Sequence, residues 1–297
     1  MNEHVKKITI RNVSIFAIIV LTSGWIGKVI DLMMGVQSYE IESLGMLIWL
    51  IAPIVCSIAL RFFGGDGWKD IGFKPYLKKN IRWYIVSSLV FPILTTFVIF
   101  IGSALGWISF DTSQFEIYIQ AFIVALIPNF LKNIPEEFAW QGYLTPKLRY
   151  LIKNDFILYI GVGLIWGLWH APYYIYFLTD ATINSITGLS RFTFILVATI
   201  TMIAWSIPFI ELRLLTKSVW PCVLMHMVED AFLNPLILVG FIKISRSKEL
   251  FISPIYGLIS IALYITLGLI LRKVRINRDK AIQSSEENPI ISGSNIT

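Results

Sequence analysis

Cysteine is scarce in this chain: two residues, Cys56 and Cys222, among 297. Both lie inside apolar runs and neither has a CxxC partner, which excludes the usual cysteine-based metal and redox motifs. Such thiols act as small apolar packing groups, although Cys222, one helical turn before His226, also admits a nucleophile. Charge is scarce too. Asp, Glu, Lys and Arg make up 15% of the residues and 56% are hydrophobic, whereas soluble domains are roughly a quarter charged. With a mean hydropathy of +0.71, lipid is the solvent to expect. No gap between the hydrophobic runs is long enough for a separate soluble core, and no internal repeat is visible. The first run, about 13–30, lacks the short apolar region and small-residue cleavage site of a signal peptide, so it reads as a retained span. The net charge of +6 is spread through loops, which argues against a nucleic-acid partner.

What the chain does have is a series of long apolar runs. A helix needs roughly 20 apolar residues to cross a ~30 Å hydrocarbon core. The runs predict about eight spans, at 13–30, 44–60, 83–107, 120–144, 156–178, 192–212, 218–242 and 252–271. The fold class expected is an all-α membrane protein, its helices an antiparallel bundle around a polar cavity. Residues 1–12 would be a cytoplasmic tail, 13–272 a single transmembrane domain, and 273–297 a disordered cytoplasmic tail rich in polar residues. The fourth span is broken by Lys132 and by Pro135, where a kink or a fresh helix start is predicted.

Lys and Arg set the orientation. They crowd the N-terminal tail, the loop 61–82, the segment 147–153, Arg213 and Lys217, and the stretch 272–280. Loops 31–43, 108–114 and 179–190 have neither, but do hold Asp31, Glu40, Glu42, Asp111 and Asp180. Both termini are therefore expected in the cytoplasm, in an integral protein of the plasma membrane. One loop disagrees: 243–251 carries Lys243, Arg246 and Lys248 yet falls on the outer side.

Ionisable residues inside spans are the informative feature. An unpaired charge at a helix centre costs about 2.5–3.5 kcal/mol, so Glu136, Glu137, Glu229 and Asp230 persist only in a polar cavity, in pairs, or for function. Of three histidines, His4 lies in the tail, while His170 and His226 lie in spans. His226 and Asp230 share a helix face about 6 Å apart, and the same spacing puts an aromatic body, Trp166, beside His170. Adjacent Glu136 and Glu137 diverge by about 100°, so one should react and the other support. Counted from a span end near Leu144, Glu136 would lie about 12 Å below the cytoplasmic boundary. His226 falls at a similar depth and His170 about a turn deeper, which predicts one cavity open to the cytoplasm. A desolvated carboxylate is a competent base for water, and a neutral histidine can share that role or bind zinc. The bland alternatives are packing histidines and a Glu-Glu helix cap.

These residues resemble the CPBP family, the CAAX protease and bacteriocin-processing (Abi) intramembrane proteases, and within it the CAAX prenyl protease 2-like enzymes. Pro135-Glu136-Glu137-Phe138-Ala139-Trp140-Gln141-Gly142 is similar to the first motif, two glutamates followed after three residues by Arg-Gly. Trp166-Gly167-Leu168-Trp169-His170 resembles the second, and His226-Met227-Val228-Glu229-Asp230 the third, a histidine with asparagine four positions on. Trp68-Lys69-Asp70-Ile71-Gly72-Phe73 resembles a segment that precedes the family domain, whose core would span about 120–235. The resemblance implies that Glu136 and His170 activate water, that His226 and position 230 support the oxyanion, and that Glu137 stands behind them. It also implies either zinc, held by Glu136, His170 and His226 as in a metalloprotease, or a metal-free glutamate mechanism; both stay open. Two residues depart from the pattern. Gln141 replaces arginine, and Asp230 replaces asparagine, although an ionised aspartate cannot donate to an oxyanion.

The function expected is an intramembrane endopeptidase acting near the cytoplasmic face on a peptide or a lipidated protein in the bilayer. A non-catalytic immunity or scaffold protein is the first alternative. An ion-coupled transporter is the second, disfavoured because no pair of broken helices recurs in corresponding halves.

Overall fold

A computed structural model of the protein describes residues 3–36 and 43–287, of which 285–287 by backbone alone. Glu40, Glu42 and the stretch 288–297 lie outside the described residues. The fold is helical, as the apolar runs require: α1 Glu3–Met33, α2 Leu44–Phe63, α3 Leu77–Ala104, α4 Phe115–Ala139, α5 Thr145–Leu151, α6 Asp155–Trp169, α7 Asp180–Ile186, α8 Arg191–Thr216, α9 Trp220–Leu238, α10 Glu249–Ile252 and α11 Leu258–Glu287. Among the described residues seven helical stretches are long and apolar enough to cross a membrane. The eighth expected span falls on α11, which is not one of the seven: its apolar part runs only from Leu258 to Leu271, before Arg272, Lys273 and Arg275.

α11 also corrects the expected disorder beyond residue 273, since the helix runs on to Glu287. Ion pairs hold it there. Arg272 Nε lies 2.7 Å from Asp155, Arg275 Nε 2.6 Å from Glu211, and Arg275 also reaches Asp155 at 2.9 Å. Polar composition alone does not make a tail disordered when its arginines find carboxylates on α6 and α8. At the other terminus the expected tail 1–12 is helical from Glu3 as the start of α1.

Short loops make sequence neighbours spatial neighbours by default, and α1 against α2 follows that rule. There Gly45 is indispensable: a Cβ on it would sit 2.2 Å from the Gly27 carbonyl oxygen. The other main pairings skip along the chain, α6 with α8, α4 with α9, α3 with α9 and α8 with α11. A small ribbon absent from the expectation joins β1 Ile108–Phe110 to antiparallel β2 Ile242–Ile244, with Ser109 opposite Lys243. It puts loop 243–251 at the same end of the bundle as 108–114. The misfit cations of that loop are paired locally, Lys243 with Asp111 at 2.9 Å and Arg246 with Glu249 at 3.3 Å.

α4 does not restart at Pro135; the helix passes through it and widens instead into a π turn, Trp140–Leu144, before α5. At the end of the bundle carrying the basic segments, loop 64–76 is latched onto this turn. Arg61 donates to the Gly142 carbonyl at 2.5 Å and to Asp70 at 2.7 Å, while Arg213 donates to the Gln141 carbonyl at 2.9 Å and the Asp70 carbonyl at 2.6 Å. Gly72 has a φ of +75°, and a Cβ there would strike the Arg213 guanidinium at 2.7 Å, so only glycine suits that position.

Candidate functional site

A cavity of about 290 Å³ lies within the bundle. Glu136 and Lys132 from α4, His170 from the end of α6, and His226, Glu229 and Asp230 from α9 line it. Three of the predicted spans thus bring their polar residues to one place, with aromatic walls from Trp49, Tyr173, Tyr174 and Trp205.

α4 presents its two glutamates differently, as their 100° offset requires. Glu136 faces the cavity and its Oε1 accepts from Trp166 Nε1 at 3.1 Å. Glu137 is completely buried and reaches His226 Nδ1 at 2.8 Å. The opposite ring nitrogen, Nε2, is 3.6 Å from Asp230 Oδ2. The imidazole is thereby held between two carboxylates, and Trp166, Trp205 and Phe209 close on it with their rings nearly perpendicular.

His170 caps the C-terminus of α6, its Nδ1 3.0 Å from the Trp166 carbonyl. The aromatic bodies beside it are not Trp166, as the spacing suggested, but Trp169 at 4.7 Å and Tyr174, stacked at 5.7 Å. The regular α-helix ends at Trp169 and the chain continues into a π-helical stretch, Tyr173–Phe177, while Trp166 points its indole to Glu136. Trp49 braces this corner: it stacks on Trp169 at 4.3 Å and on Tyr173 at 4.9 Å, and donates to the Trp169 carbonyl at 2.8 Å.

Asp230 is the most heavily bonded group of the site. Its Oδ2 takes Lys132 Nζ at 2.8 Å and Asn133 Nδ2 at 2.9 Å, and its Oδ1 accepts from Asn234 at 3.2 Å. Lys132, Asn133 and Asn234 were not expected in the site. The spacing could have found them: Lys132 and Asn133 lie four residues before Glu136 and Glu137, and Asn234 four after Asp230, on the same helix faces.

The cavity's position differs from the expectation. α6 is 15 residues long, which puts His170 about 22 Å from the basic end of the bundle at ~1.5 Å per residue. Glu136 is deeper than its motif suggested because the helix continues past Leu144 into α5. The remaining wall residues, among them Leu178, Thr182, Ile186, Leu238 and Tyr256, come from the end opposite the basic loops. The cavity therefore extends away from the end that the sequence assigned to its opening.

Among the described residues, His226, Glu229 and Asp230 can bring one ligand atom each within 4.8 Å of one another, whereas the expected trio Glu136, His170 and His226 is not such a group. A cation there would compete with the Lys132 ammonium for Asp230 Oδ2, and His226 already commits Nδ1 to Glu137. Placing a dication beside an ammonium in a low-dielectric site is unfavourable, so the donors as arranged do not suit zinc.

A buried carboxylate, two histidines and a hydrogen-bonded polar net thus lie inside a multispan helical bundle. The family model described as Rce1-like, type II CAAX prenyl endopeptidase, matches residues 118–232. That segment runs from α4 through α9 and holds Glu136, Glu137, His170, His226 and Asp230, and over it the chain is similar to that CAAX protease family; the long apolar helices are those of an integral membrane protein. No curated protein matches the chain.

Proposed function

We propose that the protein is an intramembrane endopeptidase in which Glu136 activates water without a metal. The observation that carries this reading is the gathering of Glu136, His170, His226 and Asp230 around one cavity. Glu136 and His170 hold the attacking water, and Glu136 takes its proton as the oxygen bonds to the scissile carbonyl carbon. His226, protonated on both nitrogens between Glu137 and Asp230, presents Nε2–H to the carbonyl oxygen as it gains charge. Glu136 then passes its proton to the departing amine as the C–N bond breaks. Glu137 touches no reacting atom; it holds the imidazole in place.

The substrate class is a peptide that reaches the cavity from within the bilayer. A prenylated C-terminal peptide is the first to test, since the matched family is described as a CAAX prenyl endopeptidase. Cleavage by the purified protein in detergent should fall by roughly 10²–10⁴ in Glu136→Gln, the usual contribution of a general base. Full activity in that variant would defeat the reading. A chelator should leave the rate unchanged; a loss restored by added zinc would instead favour the metal route.

A further inference from the structure

Position 230 poses a chemical problem. An asparagine amide in such a place could donate to an oxyanion, whereas an ionised aspartate only accepts and would repel it. The cavity contains an answer. Asp230 is not alone: the Lys132 ammonium lies 2.8 Å from its Oδ2, Asn133 donates to the same oxygen at 2.9 Å, and Asn234 holds the other oxygen at 3.2 Å. His226 Nε2 faces that same Oδ2 at 3.6 Å, so the ammonium and the imidazole gather around one oxygen position.

We propose that Lys132 is a catalytic residue that supplies the positive charge for the oxyanion in place of the missing amide, with Asp230 as its positioning residue. The proposal deepens the hydrolytic reading and rests on it. An ammonium has three hydrogens; Asp230 Oδ2 takes one, which leaves two for a ligand. The Lys132 side chain is 39% exposed and lines the cavity, so those hydrogens face the space where substrate would lie. Lys132 precedes Glu136 by four residues on one unbroken helix, which places base and electrophile on the same face. A lysine at membrane depth is costly unless paired or used, and here it is paired while still reaching the cavity.

In the step itself the water oxygen bonds to the carbonyl carbon and the C=O electron pair moves onto oxygen. The ammonium and His226 hold that charge. It returns to re-form the carbonyl as the C–N bond breaks, and Lys132 neither gains nor loses a proton.

The full chain, purified in detergent, would be screened on a peptide library that includes farnesylated C-terminal peptides, and the variants assayed on whatever the wild type cleaves. Lys132→Met should lower kcat by roughly 10²–10³, as loss of an oxyanion donor does, with KM nearly unchanged. Lys132→Arg, which keeps the charge, should retain most activity. Lys132→Met combined with Asp230→Asn should recover most of the lost kcat, because the amide then donates and no unpaired carboxylate remains. A wild-type kcat in Lys132→Met, a loss confined to KM, or a double variant as impaired as Lys132→Met would overturn the proposal. Should Lys132→Met alone fail to fold, as judged by its elution and melting, the double variant and Lys132→Arg decide: inactivity of either overturns it. Glu136→Gln is assayed alongside. Loss there with an unaffected Lys132→Met sinks this proposal only; full activity there, or no cleavage by the wild type, sinks the hydrolytic reading with it.

Discussion

Glu137 is the residue on which the geometry of His226 depends. It is fully buried and bonded to the ring at 2.8 Å, so truncation would leave an imidazole without its partner in an apolar surround. Glu137→Ala is expected to cost about 1–3 kcal/mol, the penalty for a buried polar group left unsatisfied, and to lower kcat as the ring loses its orientation. Glu137→Gln, whose amide oxygen still accepts from Nδ1–H, should be milder on both counts. Thermal unfolding in detergent together with turnover would check this; equal losses in the two variants would count against a positioning role. At this scale the sequence was informative but selective. The carboxylates and histidines stood out because each is expensive in lipid. Lys132, Asn133 and Asn234 did not, because their value comes from Asp230, which only the packing of α4 on α9 brings within reach.

Among the elements, α6 and α8 approach most closely where a side chain is missing. A Cβ on Gly163 would lie 2.4 Å from the Ile203 Cα, with backbone on the receiving side and nothing flexible to yield. Gly163→Val should therefore separate the two helices and, through α6, displace His170. A lowered melting temperature with loss of cleavage is expected, and unchanged values of both would refute the contact. The latch of loop 64–76 makes a prediction about pH. Burial alone would push the Asp70 carboxyl up, but hydrogen bonds from Lys147 and Arg61 outweigh it and hold the group below its usual value of 3.8. A depressed carboxyl stabilises the folded state above its unfolded value and loses that contribution as pH falls through the folded one. Hydrogen exchange in residues 64–76 should accordingly stay slow from neutral pH down to about 4 and quicken only below it. Quickening near neutrality would show that another group governs the latch. Helix existence was legible from the length of the apolar runs, while the ends were not. The π turn at Trp140–Leu144 and the extension of α11 both depend on arginines from distant helices, which no local pattern reports.

Taken as a whole, the molecule has two chemically different ends. One carries the arginines and lysines of loop 64–76, α5 and α11; the other carries the ribbon, α7 and most of the cavity wall. The distribution of Lys and Arg predicts that the first end is cytoplasmic, and on that reading the cavity extends toward the far side. Single cysteines at Thr182 and Lys78, introduced with Cys56 and Cys222 replaced, should react with an impermeant maleimide from opposite faces of the membrane, Thr182→Cys from outside intact cells. Labelling of both from one face would reverse or abolish this assignment. Seven of the eight expected spans were readable from hydropathy, and the convergence of three helices from motif order. The direction of the cavity was not, because depth counted from a guessed helix end propagates the error of that guess. One consequence concerns the wide turn after α4. Five residues take the place of an ordinary turn there, so everything downstream is rotated by about 100° relative to a straight continuation. Deleting a single residue from it would give a more regular helix and a worse protein, for Lys147 would swing away from Asp66 and Asp70. Homologues without that extra residue would have to fasten the neighbouring loop by some other means.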